Sequence, residues 1–273
     1  IKHGNRQGTA AKGGVLLVFG DDHPGKSSTI SHQSEQAVAA NGLPVLYPAT
    51  VQEFIELGLH GYAMSRHAGI WVGFKVVNET VEATATVTLD PALPKITLPT
   101  LAALPPGGLH ARIAFDPLKD EVRLVRHKLP AAQAYAYANG LDRVTHGAKT
   151  VVPGSLGIVA AGKSWLDVVQ ALQELELDAR RLERLGVAVY KPALIWPLEP
   201  QALKAFANGR AELLFVEEKA AFMELQAASL LYHLPTAERP QLLGKQDAQG
   251  APLLVADEML EPVDIALAIA SRL

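Results

Sequence analysis

The protein has 273 residues, a formal net charge of −3 and no cysteine, with 49% hydrophobic and 19% charged residues. The lack of cysteine excludes a disulfide scaffold, a cysteine nucleophile, and any thiolate zinc site or iron–sulfur cluster held by this chain. The weakly acidic balance gives no electrostatic footprint for nucleic acid, and no apolar run approaches the roughly 20 residues of a membrane-spanning helix. The length and composition predict one large folded domain or two modest ones.

The first third of the chain alternates strand and helix patterns. Residues 15–19 form a continuous apolar run before Gly-Asp-Asp, which is typical of a parallel strand buried on both faces. Thr50 followed by Glu53 predicts a capped helix that runs to Met64. Such repetition predicts a parallel sheet covered by helices. The other elements predicted in this region are a helix over residues 28–40 and strands over residues 43–47 and 69–74.

The middle of the chain changes in character. Residues 90–108 contain five prolines and end in two glycines, which predicts an extended linker. Residues 117–139 carry apolar residues at three- and four-residue steps, the pattern of a helical connector. Pro130 lies inside that pattern and is expected to kink the helix or split it in two.

A second α/β pattern begins near Val151. The predicted fold is α/β, with two three-layer α/β/α units and mainly parallel sheets. Its divisions are a first domain over residues 1–89, a linker and connector over residues 90–150, and a second domain over residues 151–273. The elements predicted in the second domain are strands over residues 156–160, 187–190 and 212–216, and helices over residues 164–175, 199–208, 220–231 and 262–273.

The segment from Gly20 to Ser27 matches the phosphate-loop pattern G-x-x-x-x-G-K-[ST], between a predicted strand and a predicted helix. One alternative is therefore a P-loop nucleotide hydrolase. Two observations weaken it. The same pattern recurs over residues 157–164, where the variable positions are a strand, and Asp21 and Asp22 would repel a triphosphate. A second alternative is a non-catalytic α/β interaction module.

At greater length the same segment resembles the fused indolepyruvate ferredoxin oxidoreductases, a branch of the thiamine-diphosphate-dependent 2-oxoacid:ferredoxin oxidoreductases. The specific string is Gly20-Asp-Asp-His, then Lys26-Ser-Ser-Thr, then His32-Gln-Ser-Glu. The resemblance covers nearly the whole chain through further motifs: Lys2-His-Gly-Asn-Arg-Gln-Gly-Thr, Pro44-Val-Leu-Tyr-Pro, Trp71-Val-Gly-Phe-Lys, Lys128-Leu-Pro-Ala, Gly162-Lys-Ser-Trp-Leu-Asp, Trp196-Pro-Leu-Glu and Val216-Glu-Glu-Lys.

The resemblance implies a fold and an activity. The first domain is similar to part of the domain that binds the aminopyrimidine of thiamine diphosphate, and the second to the C-terminal domain of transketolases. The implied reaction is oxidative decarboxylation of an arylpyruvate-type 2-oxo acid, with electrons passed to ferredoxin and the acyl group to coenzyme A. Magnesium and the iron–sulfur clusters would be bound by other domains of the same polypeptide. The expected enzyme is a cytoplasmic homodimer, of which this chain, opening at Ile1, is an internal fragment inactive by itself.

The candidate site residues follow the first predicted strand, where ligands collect in open α/β sheets. His32 is the candidate catalytic residue, because by resemblance it takes the place of an arginine that binds the substrate carboxylate in related pyruvate enzymes. The residues by themselves leave open a solvated, self-paired turn, hydroxyl caps of the next helix, and a half-buried packing histidine. The candidate cofactor-binding residues are Asp22, His23, Lys26, Ser27, Ser28 and Gln33.

Other charged residues carry weaker signals. His60 and His67 lie seven apart on one helix without a nearby carboxylate, so no metal site is predicted. The Glu217-Glu218-Lys219 run at the end of a predicted strand is expected to be a solvated rim, and Lys163 is interpreted in the same way.

Overall fold

The computed structural model describes residues 1–101, 103–147, 151–152 and 154–273. Its contacts divide the chain into two compact units. Unit 1 comprises Ile1–Asp21, Ser34–Leu141 and Ala193–Glu199, and unit 2 comprises Asp22–Gln33, Asp142–Pro192 and Pro200–Leu273. Each unit therefore contains a short segment from the other part of the sequence. The domain boundaries predicted from the sequence pattern, after residues 89 and 150, stay a prediction.

The described residues form nine strands and eleven α-helices. The strands are β1 (Val15–Asp21), β2 (Val45–Leu46), β3 (Trp71–Val77), β4 (Arg143–Gly147), β5 (Leu156–Ala160), β6 (Ala188–Lys191), β7 (Leu194–Trp196), β8 (Glu212–Val216) and β9 (Gln241–Leu243). The helices are α1 (Lys2–Gln7), α2 (Glu35–Ala40), α3 (Val51–Ala68), α4 (Asn78–Val81), α5 (Pro117–Arg123), α6 (Leu129–Ala138), α7 (Gly162–Glu174), α8 (Ala179–Leu185), α9 (Pro200–Ala207), α10 (Met223–Leu231) and α11 (Pro262–Ala270).

Unit 1 is built on a four-stranded sheet in the order β1-β3-β2-β7. Both β1 and β2 run parallel to β3, whereas β7 pairs antiparallel with β2. Helices α3 and α6 pack on this sheet through a shared apolar cluster, which removes their apolar faces from water. The buried members of the cluster include Leu46, Leu57, Met64, Ile70, Val72, Phe74, Ala132, Tyr135 and Leu194.

Local residues account for both ends of helix α3. The Thr50 hydroxyl accepts a hydrogen bond from the Glu53 amide at 3.2 Å, and the Glu53 carboxylate accepts one from the Ala49 amide at 2.8 Å. The predicted cap is confirmed, although the helix continues four residues beyond Met64 to Ala68. It stops at Gly69, which adopts a left-handed conformation with φ of 63°. Glycine reaches that region without a Cβ clash.

The connector of unit 1 is split, as Pro130 predicts. Helices α5 and α6 are separated by one π-helical turn over Leu124–Lys128. Pro130 lies in the first turn of α6, where its missing N–H costs least. The described residues of the proline-rich stretch at 90–108 form no helix or strand, and they belong to unit 1.

Unit 2 is built on a five-stranded sheet in the order β4-β6-β5-β8-β9. Strands β5, β6, β8 and β9 are parallel, and β4 pairs antiparallel with β6. Helices α7 and α11 cover its apolar side with a cluster that includes Ile158, Val168, Leu172, Val189, Leu214, Val216, Ile265 and Ile269. Both units therefore combine mainly parallel sheets with flanking helices, and the predicted α/β fold is confirmed.

The helix predicted over residues 28–40 is wrong in its first half. The chain forms turns and bends from Pro24 to Ile30, and α2 begins only at Glu35. The physical reason is local, because the His32 amide, which in that helix would donate to the Ser28 carbonyl, donates to the Asp22 carbonyl at 3.1 Å instead. Six short elements with little pattern of their own were not predicted: α1, α4, α8, β4, β7 and β9.

Candidate functional site

The predicted site residues lie on one loop, Asp22–Gln33, which we call the Asp22 loop. It follows β1, whose last residue is Asp21, and it belongs to unit 2. In unit 1 the residues on either side of the loop are joined, since the Ser34 amide donates a hydrogen bond to Oδ2 of Asp21 at 3.1 Å. The loop therefore leaves and returns to unit 1 at neighbouring points.

Within the loop the buried carboxylate of Asp22 organises the backbone. It accepts hydrogen bonds from the amides of Lys26, Ser27 and Ser28 at 3.1, 2.7 and 2.8 Å, and from the Ser27 hydroxyl at 3.0 Å. Burial alone would raise the pKa of Asp22, but the hydrogen bonds from Ser27, Ser28 and Lys26 outweigh it and hold the pKa well below its ordinary value. Asp22 is therefore ionised across the physiological pH range.

The far end of the loop is held by Gln33. Its side-chain amide donates to the Ala220 carbonyl at 2.9 Å and accepts from the Ala220 amide at 3.0 Å. The His32 amide closes the loop by donating to the Asp22 carbonyl at 3.1 Å. These contacts fix the ends of the Asp22 loop within unit 2.

The seven predicted residues divide by what their side chains do. Asp22, Ser27 and Gln33 hold the loop itself, and His23 is 2% exposed. The side chains of Lys26, which is exposed, and His32, which is half-buried, form no hydrogen bond or ion pair with other described residues. The structure thus brings all seven onto one loop and leaves Lys26 and His32 able to bind a ligand.

The loop differs from a phosphate loop in two respects. A phosphate-binding loop directs its amides at the anion from the start of a helix. Here the amides of residues 26–28 are directed at Asp22 of the same chain, and the next helix begins at Glu35. A carboxylate thus occupies the position that a phosphate would need, so the geometry does not favour the nucleotide-hydrolase alternative.

A buried ionic cluster lies in unit 1 near the carboxyl end of β1. Nζ of Lys75 is 3.2 Å from Oδ2 of Asp21 and 2.8 Å from Oε2 of Glu35, and it lies 5.0 Å from the centre of the Tyr47 ring. Burial alone would raise the pKa of Asp21, but the Lys75 charge and the Ser34 hydrogen bonds lower it. Two carboxylates therefore lie within ion-pair distance of one buried lysine.

A second ionic cluster lies in unit 2, after β5 and β8. Nζ of Lys163 is 2.7 Å from Oε1 of Glu218 and 3.0 Å from Oδ2 of Asp167. Burial alone would lower the pKa of Lys163, but these two carboxylates outweigh it and raise the pKa. The adjacent Glu217 accepts hydrogen bonds from three amides at the start of α10. The expectation of a solvated rim is wrong, because these side chains are buried.

Sequence reasoning missed the roles of Lys75 and Lys163, although each left a signal. Lys75 lies inside the otherwise apolar strand Trp71–Val77, and a lysine there must meet a carboxylate. Lys163 follows a strand that is buried throughout. A charged residue next to a buried run is therefore a usable sign of a buried ion pair.

The described residues contain no group of three or more histidine, aspartate or glutamate side chains placed to hold a metal ion. Nδ1 of His60, one of the two histidines considered for a metal, lies 2.9 Å from the Tyr135 hydroxyl. Burial lowers the pKa of both His60 and His67. Among the helices in the described part of the chain, none has the length and apolarity needed to cross a membrane.

Two solved structures share the fold. The 2-oxoglutarate:ferredoxin oxidoreductase from Magnetococcus marinus, with 2-oxoglutarate, coenzyme A and succinyl-CoA bound, aligns with a TM-score of 0.57 and 15% identity over 98% of this chain and 50% of that chain. A split-gene transketolase, described as an inactive beta4 tetramer, aligns with a TM-score of 0.51 and 14% identity over 94% of this chain and 66% of that chain. The fold is therefore of the transketolase-like α/β class.

The sequence comparisons then define the family. The model of the indolepyruvate oxidoreductase domain matches residues 137–273, half of the chain. The indolepyruvate oxidoreductase subunit IorA of Archaeoglobus fulgidus is 25% identical over 231 residues, which cover 81% of this chain and 33% of that protein. The chain belongs to the indolepyruvate oxidoreductase domain family, a family of oxidoreductases, and the resemblance is confirmed. The chain spans about a third of the length of the curated relative it matches.

Proposed function

We propose that this chain is part of a thiamine-diphosphate-dependent 2-oxoacid:ferredoxin oxidoreductase that oxidatively decarboxylates an arylpyruvate of the indolepyruvate type. Electrons pass to ferredoxin and the acyl group to coenzyme A. The observation that carries this proposal is the match of the indolepyruvate oxidoreductase domain over residues 137–273. The remaining domains of the same polypeptide complete the enzyme, which works as a homodimer in the cytoplasm.

The described residues offer no binding site for the diphosphate of thiamine diphosphate in the Asp22 loop. The loop amides at residues 26–28 already bind Asp22, so these three amides are not free for a diphosphate. The chain also has no cysteine for a cluster. Diphosphate, Mg²⁺ and the iron–sulfur clusters are therefore assigned to other domains. When bound, thiamine diphosphate supplies the carbanion that such decarboxylation requires.

The role assigned to the Asp22 loop is to orient the substrate. Lys26, Ser28 and His32 are the predicted site residues whose side chains have no partner among the described residues, and Lys26 and His32 are the basic ones. An imidazole is cationic for part of the time near neutral pH, so His32 would bind the substrate carboxylate, with Lys26 adding positive charge. Asp22, Ser27 and Gln33 position the loop, while His23 and Ser28 keep their predicted cofactor contacts as part of this proposal.

The proposal is tested on the complete polypeptide that contains this chain. Reduction of ferredoxin is followed with indolepyruvate, phenylpyruvate, pyruvate and 2-oxoglutarate, each with and without thiamine diphosphate and coenzyme A. We expect turnover that requires both compounds and is fastest with the two arylpyruvates. Turnover without thiamine diphosphate, or no turnover with any 2-oxo acid by a folded, cluster-loaded enzyme, would refute the proposed reaction. A preference for 2-oxoglutarate would refute the proposed arylpyruvate substrate but not the class of reaction.

A further inference from the structure

Unit 2 contains a cavity of about 610 Å³ at the edge of its sheet, which we call the β4-edge pocket. Its walls are strand β4, Tyr190 of β6, helix α9, and Arg210, which lies three residues beyond the end of α9. The volume lies within the range of pockets that bind small molecules. The pocket shares no residue with the Asp22 loop or with the Lys163 cluster, so the proposed reaction gives it no role.

Arg210 is a buried cation in the wall of this pocket. Arg210 is only 7% exposed. Nε donates a hydrogen bond to the Phe206 carbonyl at 2.8 Å, and the guanidinium carbon lies 4.3 Å from the centre of the Phe206 ring. Nη1 is buried and has no hydrogen-bond partner among the described residues. Buried charges are normally paired, and no carboxylate among the described residues forms an ion pair with Arg210, so this wall of the pocket carries a positive charge that suits an anionic ligand.

The surroundings of Arg210 are built to hold it there. The rings of Tyr190 and Phe206 are stacked, with centroids 5.0 Å apart and an interplanar angle of 20°. A Cβ atom at Gly157 of β5 would lie 2.7 Å from Cε1 of Phe206 and 2.8 Å from Cδ of Arg210. Glycine at this position leaves the space in which the phenyl ring and the arginine side chain rest on the sheet.

The rest of the lining indicates what accompanies the anion. Val144, Ala202 and Ala205 supply apolar surface, and Arg143 and His146 add cationic or polar groups. Asp142 is the one carboxylate among the described lining residues. An apolar wall beside stacked aromatic rings favours a flat ring more than a sugar or a chain of hydroxyls.

We propose that the β4-edge pocket is a second binding site, which takes a small aromatic carboxylate with its charge at Arg210 and its ring between α9 and β4. Guanidinium groups bind carboxylates and phosphates alike, and the aromatic and apolar walls assign the site to the aromatic acid. The inference stands independently of the reaction proposed above, because it uses only residues of this pocket.

The experiment uses the 273-residue chain and three probes: phenylacetate, inorganic phosphate and 2-phenylethanol. Binding is followed by titration calorimetry and by saturation-transfer NMR. We expect saturable binding of phenylacetate at one site. Phosphate and 2-phenylethanol should bind at least tenfold more weakly, because phosphate lacks the aromatic ring and 2-phenylethanol lacks the negative charge. Equal or tighter binding of phosphate would show a simple anion site and overturn the proposal, as would the absence of saturable phenylacetate binding.

Two variants locate the site. Arg210→Gln removes the charge and is expected to weaken phenylacetate binding roughly 10- to 100-fold, as for loss of one charged hydrogen bond. Ala202→Leu fills the pocket from α9 with a good helix former, and it is expected to abolish binding without unfolding the chain. Arg239→Gln, in unit 2 but outside the pocket, is the control. If Arg210→Gln does not fold, Ala202→Leu decides, and unchanged binding in that variant contradicts the assignment.

Discussion

Nζ of Lys163 lies 2.7 Å from Oε1 of Glu218, and both side chains are almost completely buried. The pair joins the start of α7 to the residue pair after β8. Oε2 of Glu218 also accepts a hydrogen bond from the Leu260 amide at 3.2 Å, while Lys163 donates to the Leu260 carbonyl. One ion pair therefore links two strand ends of unit 2 with the segment that precedes α11.

Removing one partner of this pair is expected to destabilise unit 2 strongly. Lys163→Met leaves the Glu218 carboxylate buried without its cation, and such losses cost about 3–5 kcal/mol. The double variant Lys163→Met/Glu218→Leu is expected to recover much of that loss, because an apolar pair has no charge to desolvate. Urea unfolding of both variants and of Glu218→Leu gives the coupling energy. The control is Lys204→Met on the exposed side of α9, where we expect little change. Additive effects of the two single changes would contradict the pairing.

The same pair predicts how stability depends on pH. The pKa of Lys163 is raised above its ordinary value of 10.5. Its contribution to stability is therefore complete below about pH 10.5 and is lost as the pH rises through the higher pKa of the folded state. We expect the difference in free energy of unfolding between the wild type and Lys163→Met to be constant from pH 8 to about pH 10.5 and to shrink above that pH. Urea unfolding across this range measures it.

The Asp22 loop is expected to depend on one carboxylate. Asp22→Asn removes the negative charge that three amides share, so the amides of residues 26–28 should exchange their hydrogens much faster. The pKa of Asp22 is lowered by these hydrogen bonds. The stabilisation of the folded state is thus present above the ordinary pKa of 3.8 and is lost as the pH falls through the lower folded value.

Hydrogen exchange at pH 5–7, followed by mass spectrometry or NMR, measures this effect. Asp178→Asn is the matched control in unit 2, because Asp178 caps α8 by accepting from the Arg181 amide at 2.8 Å and asparagine caps equally well. The loop amides should exchange normally in this control. Equal protection of residues 26–28 in wild type and Asp22→Asn would remove the assigned role of the carboxylate.

Replacing Lys75 by methionine is expected to cost less stability in acid than at neutral pH. Lys75→Met leaves Asp21 and Glu35 buried together, at a cost of about 3–5 kcal/mol near neutral pH. In the wild type the pKa of Asp21 is lowered, so its contribution is present above 3.8 and is lost below it. Without Lys75, burial raises that pKa, and protonation then relieves the variant.

The free-energy difference between wild type and Lys75→Met should therefore be smaller at pH 4 than at pH 7 in urea unfolding. Lys119→Met is the control, because Lys119 is 80% exposed and its pair with Asp116 belongs to the surface class that contributes little. A difference that is constant with pH would show that Lys75 acts through packing alone.

The sequence predicted the parts of the fold that depend on local pattern. The apolar strand β8 has the predicted bounds, and the cap at Thr50 and the split near Pro130 have local chemical causes. The short strand β7 was missed, because it exists through its pairing with β2, more than a hundred residues earlier. No local pattern encodes such a long-range partner.

The candidate site was predictable in its location and less so in its form. The sequence motif from Asp22 to Gln33 identified the loop, and all seven predicted residues lie on it. Its local structure was misjudged, since Ser27 and Ser28 were expected to begin a helix. The His32 amide donates to the Asp22 carbonyl instead of to a helical partner, and a helix propensity of a few tenths of a kcal/mol per residue is too small to prevent this competing hydrogen bond. That competition is visible only when the positions of the backbone amides are known.

The assignment of His32 as the group that binds the substrate carboxylate rests on the proposed reaction. In the complete enzyme, His32→Gln is expected to raise the KM for the arylpyruvate about tenfold, because the substrate carboxylate loses one charge-assisted hydrogen bond. His32→Arg should restore a low KM, since guanidinium is always charged and binds carboxylates in the same way. Steady-state kinetics with ferredoxin reduction as the readout separates KM from kcat. His233→Gln, at an exposed histidine of unit 2 outside the loop, should leave both constants unchanged. If His32→Gln and His32→Arg lower kcat equally and leave KM unchanged, His32 does not bind the substrate carboxylate and its role is structural.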